Sequence, residues 1–211
     1  MDGGRRGMVR SPIAKLREIK SYSEELGLDL KKPEDRQSWF FASVLFAKRI
    51  SSSIALRTFE KFQEEGITAP KAMLDAGWHK LVKVLDAGGY VRYDFSTASA
   101  LLDISRTILY KQGDLERIHS KARSPSELEA LLMEFKGVGP VAVNIFLREL
   151  RGIWAMAAPK PSRFAIEVAQ RLRVKRVDDV ESQLVRIRLE FCKRKACGIC
   201  PVNAYCTRRM R

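Results

Sequence analysis

The stretch EFKGVGPVAVNIFLREL, residues 134–150, places Gly137, Val138, Gly139 and Pro140 between two segments with the apolar spacing of amphipathic helices. A Gly-Val-Gly turn between helices uses backbone torsions that a side chain resists, so it predicts a tight helical hairpin. The apolar residues on the facing sides of the two helices are Leu131, Leu132, Phe135, Val138, Val141, Val143, Ile145, Phe146 and Leu150. We therefore expect a rigid hairpin that presents its loop to solvent.

The start of the second hairpin helix is suited to an anion. Its first backbone N–H groups have no helical acceptor, and the positive end of the helix dipole favours a phosphate. Pro140 has no N–H, which costs nothing at a first helical position. The alternative is an ordinary helix connection with a glycine stop. The predicted phosphate-binding residues of the loop are Lys136, Gly137, Val138, Gly139 and Val141.

Outward from the hairpin, no segment alternates apolar and polar residues, so the chain is predicted to be all-α. Ser124 is a predicted cap and Pro125 a first helical residue, with the helix ending at Gly137. KKPEDR, residues 31–36, is predicted to be a polar link before the segment 38–50, which is apolar nearly all round and therefore central. Gly77 and Gly88 are expected to interrupt the next helical stretch.

Charge and composition limit the partners. The 211 residues include 39 Lys and Arg against 25 Asp and Glu, a net charge of +14, and 45% are apolar. This charge balance favours a protein that binds a polyanion such as nucleic acid. A protein that binds an anionic membrane surface, and a basic protein with no polyanionic partner, are the alternatives. No apolar run reaches the ~18 residues that cross a bilayer, and no apolar segment follows the first arginines. We expect a cytoplasmic protein.

All four cysteines lie near the end of the sequence, in CKRKACGICPVNAYC. Cys192, Cys197, Cys200 and Cys206 have the spacing C-x4-C-x2-C-x5-C, which can converge on one zinc ion or one [4Fe-4S] cluster. Scattered free thiols are the alternative. Basic residues surround the cysteines, so a metal would also fold a phosphate-binding surface. These basic residues are Lys193, Arg194, Lys195, Arg208, Arg209 and Arg211.

From about Ser38 to Cys206, most specifically in the hairpin and the cysteines, the sequence resembles the endonuclease III-like superfamily of helix-hairpin-helix DNA glycosylases. The resemblance implies a six-helix barrel at 38–150 that ends in the hairpin. It also implies a helical iron-sulfur domain at 10–37 with 151–211, and a damaged base flipped between the two. The family usually has C-x6-C-x2-C-x5-C, so the resemblance favours [4Fe-4S] over zinc although the first interval is shorter here.

Three family positions differ. Strand-cleaving members carry a lysine two residues after the second hairpin glycine, which forms a Schiff base; here it is Val141, which cannot be a nucleophile. Nearly all members carry an aspartate before the next helix; the matching residue is Ser162. The glutamine that fills the gap left by the flipped base is replaced by Lys48. The resemblance therefore implies that the DNA-binding hairpin and the cysteine segment are retained, whereas the usual catalytic lysine and aspartate are absent.

Three residues are candidates to replace the missing groups. Lys160 and Lys48 are possible amine nucleophiles, or alternatively phosphate contacts. Asp94 is a possible carboxylate, or alternatively a helix cap. The sequence thus predicts a monomeric DNA glycosylase that acts on a damaged or deaminated base in duplex DNA. A non-catalytic module that binds damaged or distorted DNA is the main alternative, and an RNA-binding or structural protein is a third class.

Overall fold

The computed structural model describes residues 11–207, and every regular element in this range is a helix, so the all-α prediction is confirmed. The α-helices are α1 (Pro12–Arg17), α2 (Tyr22–Glu25), α3 (Pro33–Phe46), α4 (Ser52–Glu64), α5 (Pro70–Gly88), α6 (Asp94–Thr107), α7 (Leu115–Lys121), α8 (Pro125–Met133), α9 (Pro140–Arg148), α10 (Arg163–Leu172) and α11 (Glu181–Arg186). Short π-helical segments cover Ile108–Gln112 and Ile187–Cys192, and single 3-10 turns cover Asp178–Val180, Cys197–Ile199 and Asn203–Tyr205. In the described range, no helix is both long and apolar enough to cross a membrane.

The described chain forms two compact units, one of residues 22–160 and one of residues 11–21 with 161–207. The larger unit extends beyond the barrel limits of 38–150 that the resemblance implies. At its start, Tyr22 and Leu26 are buried in its core, and at its end Trp154 and Ala157 are buried there too. Residue 10 and residues 208–211 of the predicted second domain lie outside the described residues.

Helix α3 is the centre of the larger unit. Its residues Trp39, Phe40 and Phe41 are fully buried, as its apolar sequence predicts. The ring of Phe40 packs edge-on against Phe135, at 5.4 Å between centroids, and against Phe146, at 5.0 Å. Because Phe135 precedes the glycine turn and Phe146 belongs to α9, α3 holds both arms of the hairpin in place.

The polar link predicted for residues 31–36 is wrong for its last four residues, because α3 begins at Pro33. Proline suits a first helical position, and Glu34 and Asp35 in the first turn interact favourably with the helix dipole. Arg36, in the same turn, is 6% exposed. The polar residues 33–36 therefore form the first turn of the central helix of this unit.

A partly buried polar network fixes the segment that follows α9. The Arg36 Nε donates to Glu116 Oε1 at 2.7 Å, and the Trp154 Nε1 donates to Glu116 Oε2 at 3.2 Å. The Trp154 ring also stacks on His119, with centroids 4.6 Å apart. Since Trp154 is 3% exposed, residues 151–160 are anchored to α3 and α7 through its side chain.

The smaller unit combines α1 with α10, α11 and the cysteine segment. Leu16 of α1 is fully buried, and so is Leu184 of α11. Both belong to a core that includes Val168, Leu172 and Val202. After the last cysteine the chain returns to α10, where the Thr207 N–H donates to the Arg171 carbonyl at 3.1 Å. The cysteine segment is therefore closed at both ends on one apolar core.

Candidate nucleic-acid interface and metal centre

The hairpin turn depends on Gly137. Helix α8 ends at Met133, four residues before the predicted end at Gly137, and the chain turns there so that Phe135 enters the core. Gly137 has φ +88°, in the left-handed region that side chains resist. A Cβ on Gly137 would also lie 2.8 Å from the Cβ of Ala100. Both torsion and packing therefore require glycine here.

Gly139 is different. Its torsions, φ −115° and ψ 178°, are open to any residue, so the predicted need for glycine torsions holds for Gly137 only. A Cβ on Gly139 would meet nothing within 4 Å. Neither the backbone nor the packing of the described residues calls for a glycine here. Its missing side chain leaves open space beside the first turn of α9.

The first turn of α9 is free to bind a ligand. Pro140 occupies its first position, as predicted, and no side chain of the described residues accepts a hydrogen bond from this helix start. The N–H groups of a first turn point outward along the helix axis, here from a helix of nine residues. Gly139, Val141 and Ala142 can each offer one such group.

The side chains of the loop take separate roles. Val138 is 7% exposed and anchors the turn in the core, so it has only its backbone to offer a ligand. Val141, which the resemblance matches to the family lysine, is 59% exposed, so its predicted place on the packed side of the hairpin is wrong. Lys136 is 84% exposed, and its Nζ lies 3.3 Å from Asp103 Oδ2. The loop therefore presents one cation and one small apolar side chain beside the backbone amides.

Lys160 lies next to the hairpin. The Asn144 side chain donates from Nδ2 to the Lys160 carbonyl at 2.9 Å. Asn144 follows Val141 by three residues, so the two share a face of α9. Lys160 itself is exposed, and no ion pair of its side chain occurs among the described residues. The structure thus brings the backbone of Lys160 to the face of α9 that carries Val141.

Lys48 and Asp94 lie in neighbouring segments of the larger unit. The Leu45 carbonyl accepts the Tyr90 hydroxyl at 2.7 Å and the Lys48 N–H at 3.4 Å, which joins the turn of Lys48 to the segment before Asp94. Asp94 is the first residue of α6, and its Oδ1 accepts the Phe95 N–H at 2.6 Å. The N-cap residue of α6 is Tyr93, and the bond from Asp94 runs only to the adjacent N–H, so the helix-cap alternative for Asp94 is wrong.

Asp94 also faces a second carboxyl group, one that no sequence pattern singles out. Asp86 is exposed, and its pKa is raised above its ordinary value, first by slight desolvation, then by repulsion from Asp94 and by a hydrogen bond with it. Two carboxyl groups this close disfavour simultaneous ionisation. Asp94 therefore belongs to a carboxyl pair.

Ser162, at the position of the family aspartate, caps α10: its Oγ accepts the Ala165 N–H at 3.3 Å. Its own N–H donates to Glu181 Oε1 at 2.8 Å. Glu181 is 2% exposed, and its place at the start of α11 does not distinguish it, in sequence, from a surface glutamate. The position matched to the family aspartate therefore holds the Ser162 hydroxyl, which caps α10, and the buried Glu181 carboxylate accepts the Ser162 N–H.

The four cysteines line one cavity of about 360 Å³ in the smaller unit. Its apolar wall comes from α10, the π-helical segment and the turn after Cys200: Val168, Leu172, Ile187, Phe191 and Val202. Arg171, Lys195 and Asn203 add polar groups. The cavity is far larger than the space of a single water or ion.

The thiols as they stand do not converge on one point. Among the described residues, no three His, Cys, Asp or Glu side chains are placed to hold a metal ion. Burial raises the pKa values of Cys192 and Cys200, and for Cys192 the nearby Arg171 and Arg188 act in the opposite direction. Loading a metal requires the thiols to turn into the cavity, which a cysteine can do about one side-chain torsion.

The donor set fits an iron-sulfur cluster. Four thiolates can supply its ligands, the apolar wall limits water, and the cationic groups at Arg171 and Lys195 complement its negative charge. Lys193, Arg194 and Lys195 are all exposed between the first two cysteines. Arg208, Arg209 and Arg211 lie outside the described residues.

A scan against models of known protein families found no match to this chain, and a search of curated proteins found no similar sequence. The resemblance to endonuclease III-like glycosylases therefore stays a prediction from the hairpin and the cysteines.

Proposed function

We propose that this chain is a divergent endonuclease III-like protein with the two-domain helix-hairpin-helix glycosylase fold. It binds duplex DNA and recognises a damaged or deaminated base. One observation carries the proposal: Gly139 has no role in torsion or packing, yet it opens the space in front of an uncapped helix start. A DNA phosphate fits there, because it can approach the backbone closely and accept several N–H bonds.

The charge of the chain supports a polyanionic ligand. A net charge of +14 and the exposed Lys136, Lys193, Arg194 and Lys195 favour phosphate contacts at both the hairpin and the cysteine segment. Such contacts release counterions, so affinity for duplex DNA falls steeply as salt rises. A bound [4Fe-4S] cluster would supply a cross-link that shapes the basic segment around Cys192 and Cys197, and zinc is the alternative.

Removal of the base is the activity that we propose first, with Lys160 as the leading amine. Lys160 is tied through Asn144 to the face of α9 that carries Val141. The amine would form a bond to C1′ of the sugar as the bond from C1′ to the base breaks, and the base leaves with one proton from nitrogen. Cleavage of the C1′–O4′ bond, with the second proton passing from nitrogen to O4′, would then open the sugar ring and give the imine. Lys48 is the second candidate amine, and Asp94, with Asp86 beside it, is the candidate carboxylate for the sugar cation.

The second candidate function is a non-catalytic module for damaged or distorted DNA. Two observations favour it: the Val141 side chain carries no nucleophilic group, and the Ser162 hydroxyl is engaged as a helix cap. In this case the hairpin and the basic segment bind DNA for other factors, and Lys160 and Lys48 contact phosphates.

The test is incubation of the full chain with duplexes that carry a panel of damaged or deaminated bases or an abasic site, followed by borohydride. Borohydride reduces an imine to a stable protein–DNA adduct. The variants are Lys160→Ala and Lys48→Ala, and the control is Lys71→Ala, an exposed lysine of the same unit that is paired with Asp75. A parallel assay measures released base without borohydride.

Base release with an adduct that disappears in Lys160→Ala but persists in Lys71→Ala supports the amine enzyme. Base release without any adduct supports an enzyme that uses a carboxylate, and Asp94→Asn should then abolish it. Tight lesion binding with neither product supports the module. Equal binding of duplex RNA and duplex DNA, or binding insensitive to salt, would refute both.

A further inference from the structure

An aromatic pair with one half-buried ring, Trp78, and one exposed ring, Phe95, lies in the larger unit, on α5 and α6. The rings of Trp78 and Phe95 are 5.3 Å apart with an angle of 37° between their planes. Phe95 is 60% exposed, although large aromatic side chains are normally buried. His79 meets Trp78 edge-on at 5.1 Å. We call Trp78 and Phe95 the aromatic platform.

The platform is held in position by the fold. Gly77 has φ +73° and interrupts α5, so Trp78 starts the second half of that helix in a new direction. The Trp78 Nε1 donates to the Ser99 Oγ at 3.0 Å, which ties the indole to α6. Phe95 lies in the first turn of the same helix. The rings are therefore oriented before any ligand binds, which lowers the entropy cost of binding.

Charged groups flank the platform unequally. Arg92, three residues before Phe95, is exposed, and its guanidinium lies 5.6 Å from the Tyr93 ring centroid. Asp94 lies directly before Phe95, with Asp86 beside it. A ligand that suits both sides combines a flat aromatic ring, an anionic group for Arg92, and N–H groups that a carboxylate can accept.

We infer that the aromatic platform stacks an unpaired nucleobase, with a strand phosphate at Arg92. Exposed aromatic rings beside cations bind single-stranded nucleic acid without regard to sequence. The net charge of +14 selects this polyanion over a protein partner. The inference rests on the proposed nucleic-acid function, but it needs neither the hairpin clamp nor catalysis.

Trp78 provides its own reporter. The chain has three tryptophans, of which Trp39 is 0% and Trp154 3% exposed. Quenching of tryptophan fluorescence by a stacked base therefore reports on Trp78. The probe is an oligothymidylate of about ten nucleotides, within the usual span of single-strand sites. The comparison probe has the same length and phosphates but abasic sugars.

The key variant is Phe95→Leu, which keeps an apolar side chain and removes the aromatic face. Its matched control is Tyr110→Ala, because Tyr110 is an aromatic residue that is 78% exposed outside the platform. We expect Phe95→Leu to weaken oligothymidylate binding about fivefold or more, and Phe95→Tyr to restore it. Tyr110→Ala should bind as the unchanged protein does, and the abasic strand should not quench Trp78.

Three results would overturn the inference: equal quenching by the abasic strand, unchanged binding by Phe95→Leu, or an equal loss in Tyr110→Ala. Loss of self-association in Phe95→Leu, with strand binding unchanged, would instead assign the platform to a protein contact. Gly139→Asp separates the two proposals, since it should weaken intact duplex binding and leave stacking at Trp78 intact. If no variant affects duplex binding while Phe95→Leu still weakens strand binding, the hairpin clamp fails and the platform stands.

Discussion

The two glycines of the hairpin should respond in opposite ways to the same substitution. Gly137→Ala places a side chain at φ +88°, which costs about 1–2 kcal/mol, and a Cβ at 2.8 Å from Ala100, which costs about 1–3 kcal/mol more. We expect the larger unit to lose roughly 2–5 kcal/mol of unfolding free energy. Gly139→Ala meets no atom within 4 Å and should change that free energy by no more than about 1 kcal/mol.

DNA affinity should follow the reverse order. In Gly139→Ala the new Cβ would fill the space in which the phosphate approaches the first turn of α9, so hydrogen bonds to a charged oxygen would be lost. We expect this variant to weaken duplex binding about tenfold or more, since such bonds contribute about 1.5–3 kcal/mol each. Fluorescence anisotropy of a labelled duplex at fixed salt measures this.

Urea unfolding followed by tryptophan fluorescence measures the stability, because Trp39, Trp78 and Trp154 all lie within residues 22–160. Ala100→Gly separates the two costs at Gly137: in the Gly137→Ala background it removes the contact and leaves the torsional strain. The double variant should recover about 1–3 kcal/mol relative to the sum of the single changes. A Gly139→Ala protein that is stable and binds duplex normally would refute the proposed clamp.

Three further predictions concern other parts of the molecule. Changing Lys193 and Arg194 to Ala should reduce the slope of log affinity against log salt by about 2, as two phosphate contacts are removed. Cys200→Ser should lower the iron and sulfide content of anaerobically purified protein, measured by elemental analysis and visible absorbance. Burial lowers the pKa of His119 below its ordinary 6.5, so the His119 side chain binds a proton more readily in the unfolded chain than in the folded one. The larger unit should lose stability as pH falls below about 6.5, and His119→Phe, which keeps a ring on Trp154, should reduce that loss in urea titrations between pH 8 and pH 5.

Each of these three predictions has a control variant or a result that would contradict it. Changing Lys175 and Arg176 to Ala removes the same charge elsewhere in the smaller unit and should leave the salt slope nearly unchanged. Zinc in place of iron in the unchanged protein, purified without air, would refute the cluster. An unaltered pH dependence in His119→Phe would place the responsible group elsewhere.

Local features were predictable where the cause lies in a few neighbouring residues. The Ser124 hydroxyl caps α8 and Pro140 begins α9, as their sequence positions predict. Gly77 interrupts α5, as expected. The predicted end of α8 at Gly137 was wrong because Phe135 leaves the helix to pack against Phe40, a contact of two distant segments.

Features that depend on distant residues could not be predicted from the sequence. Nothing in residues 31–36 shows that Arg36 reaches Glu116, so the sequence predicts a solvated link where the structure has a helix start with one buried arginine. The tie between Asn144 and Lys160 crosses a segment without periodicity, and the partnership of Asp86 with Asp94 depends on how α5 meets α6. Periodicity gives the buried side of a helix but not the neighbour that covers it.

The division of the chain also sets an order of events during synthesis. The smaller core needs Leu16 from the first described helix and Leu184 from the eleventh, with the whole of residues 22–160 between them. As the ribosome releases the chain from its N-terminus, the larger unit can fold first, whereas α1 waits with its apolar side uncovered. We expect ribosome-bound chains that stop before α10 to bind chaperones through residues 11–21, and chains that extend past Val202 to release them.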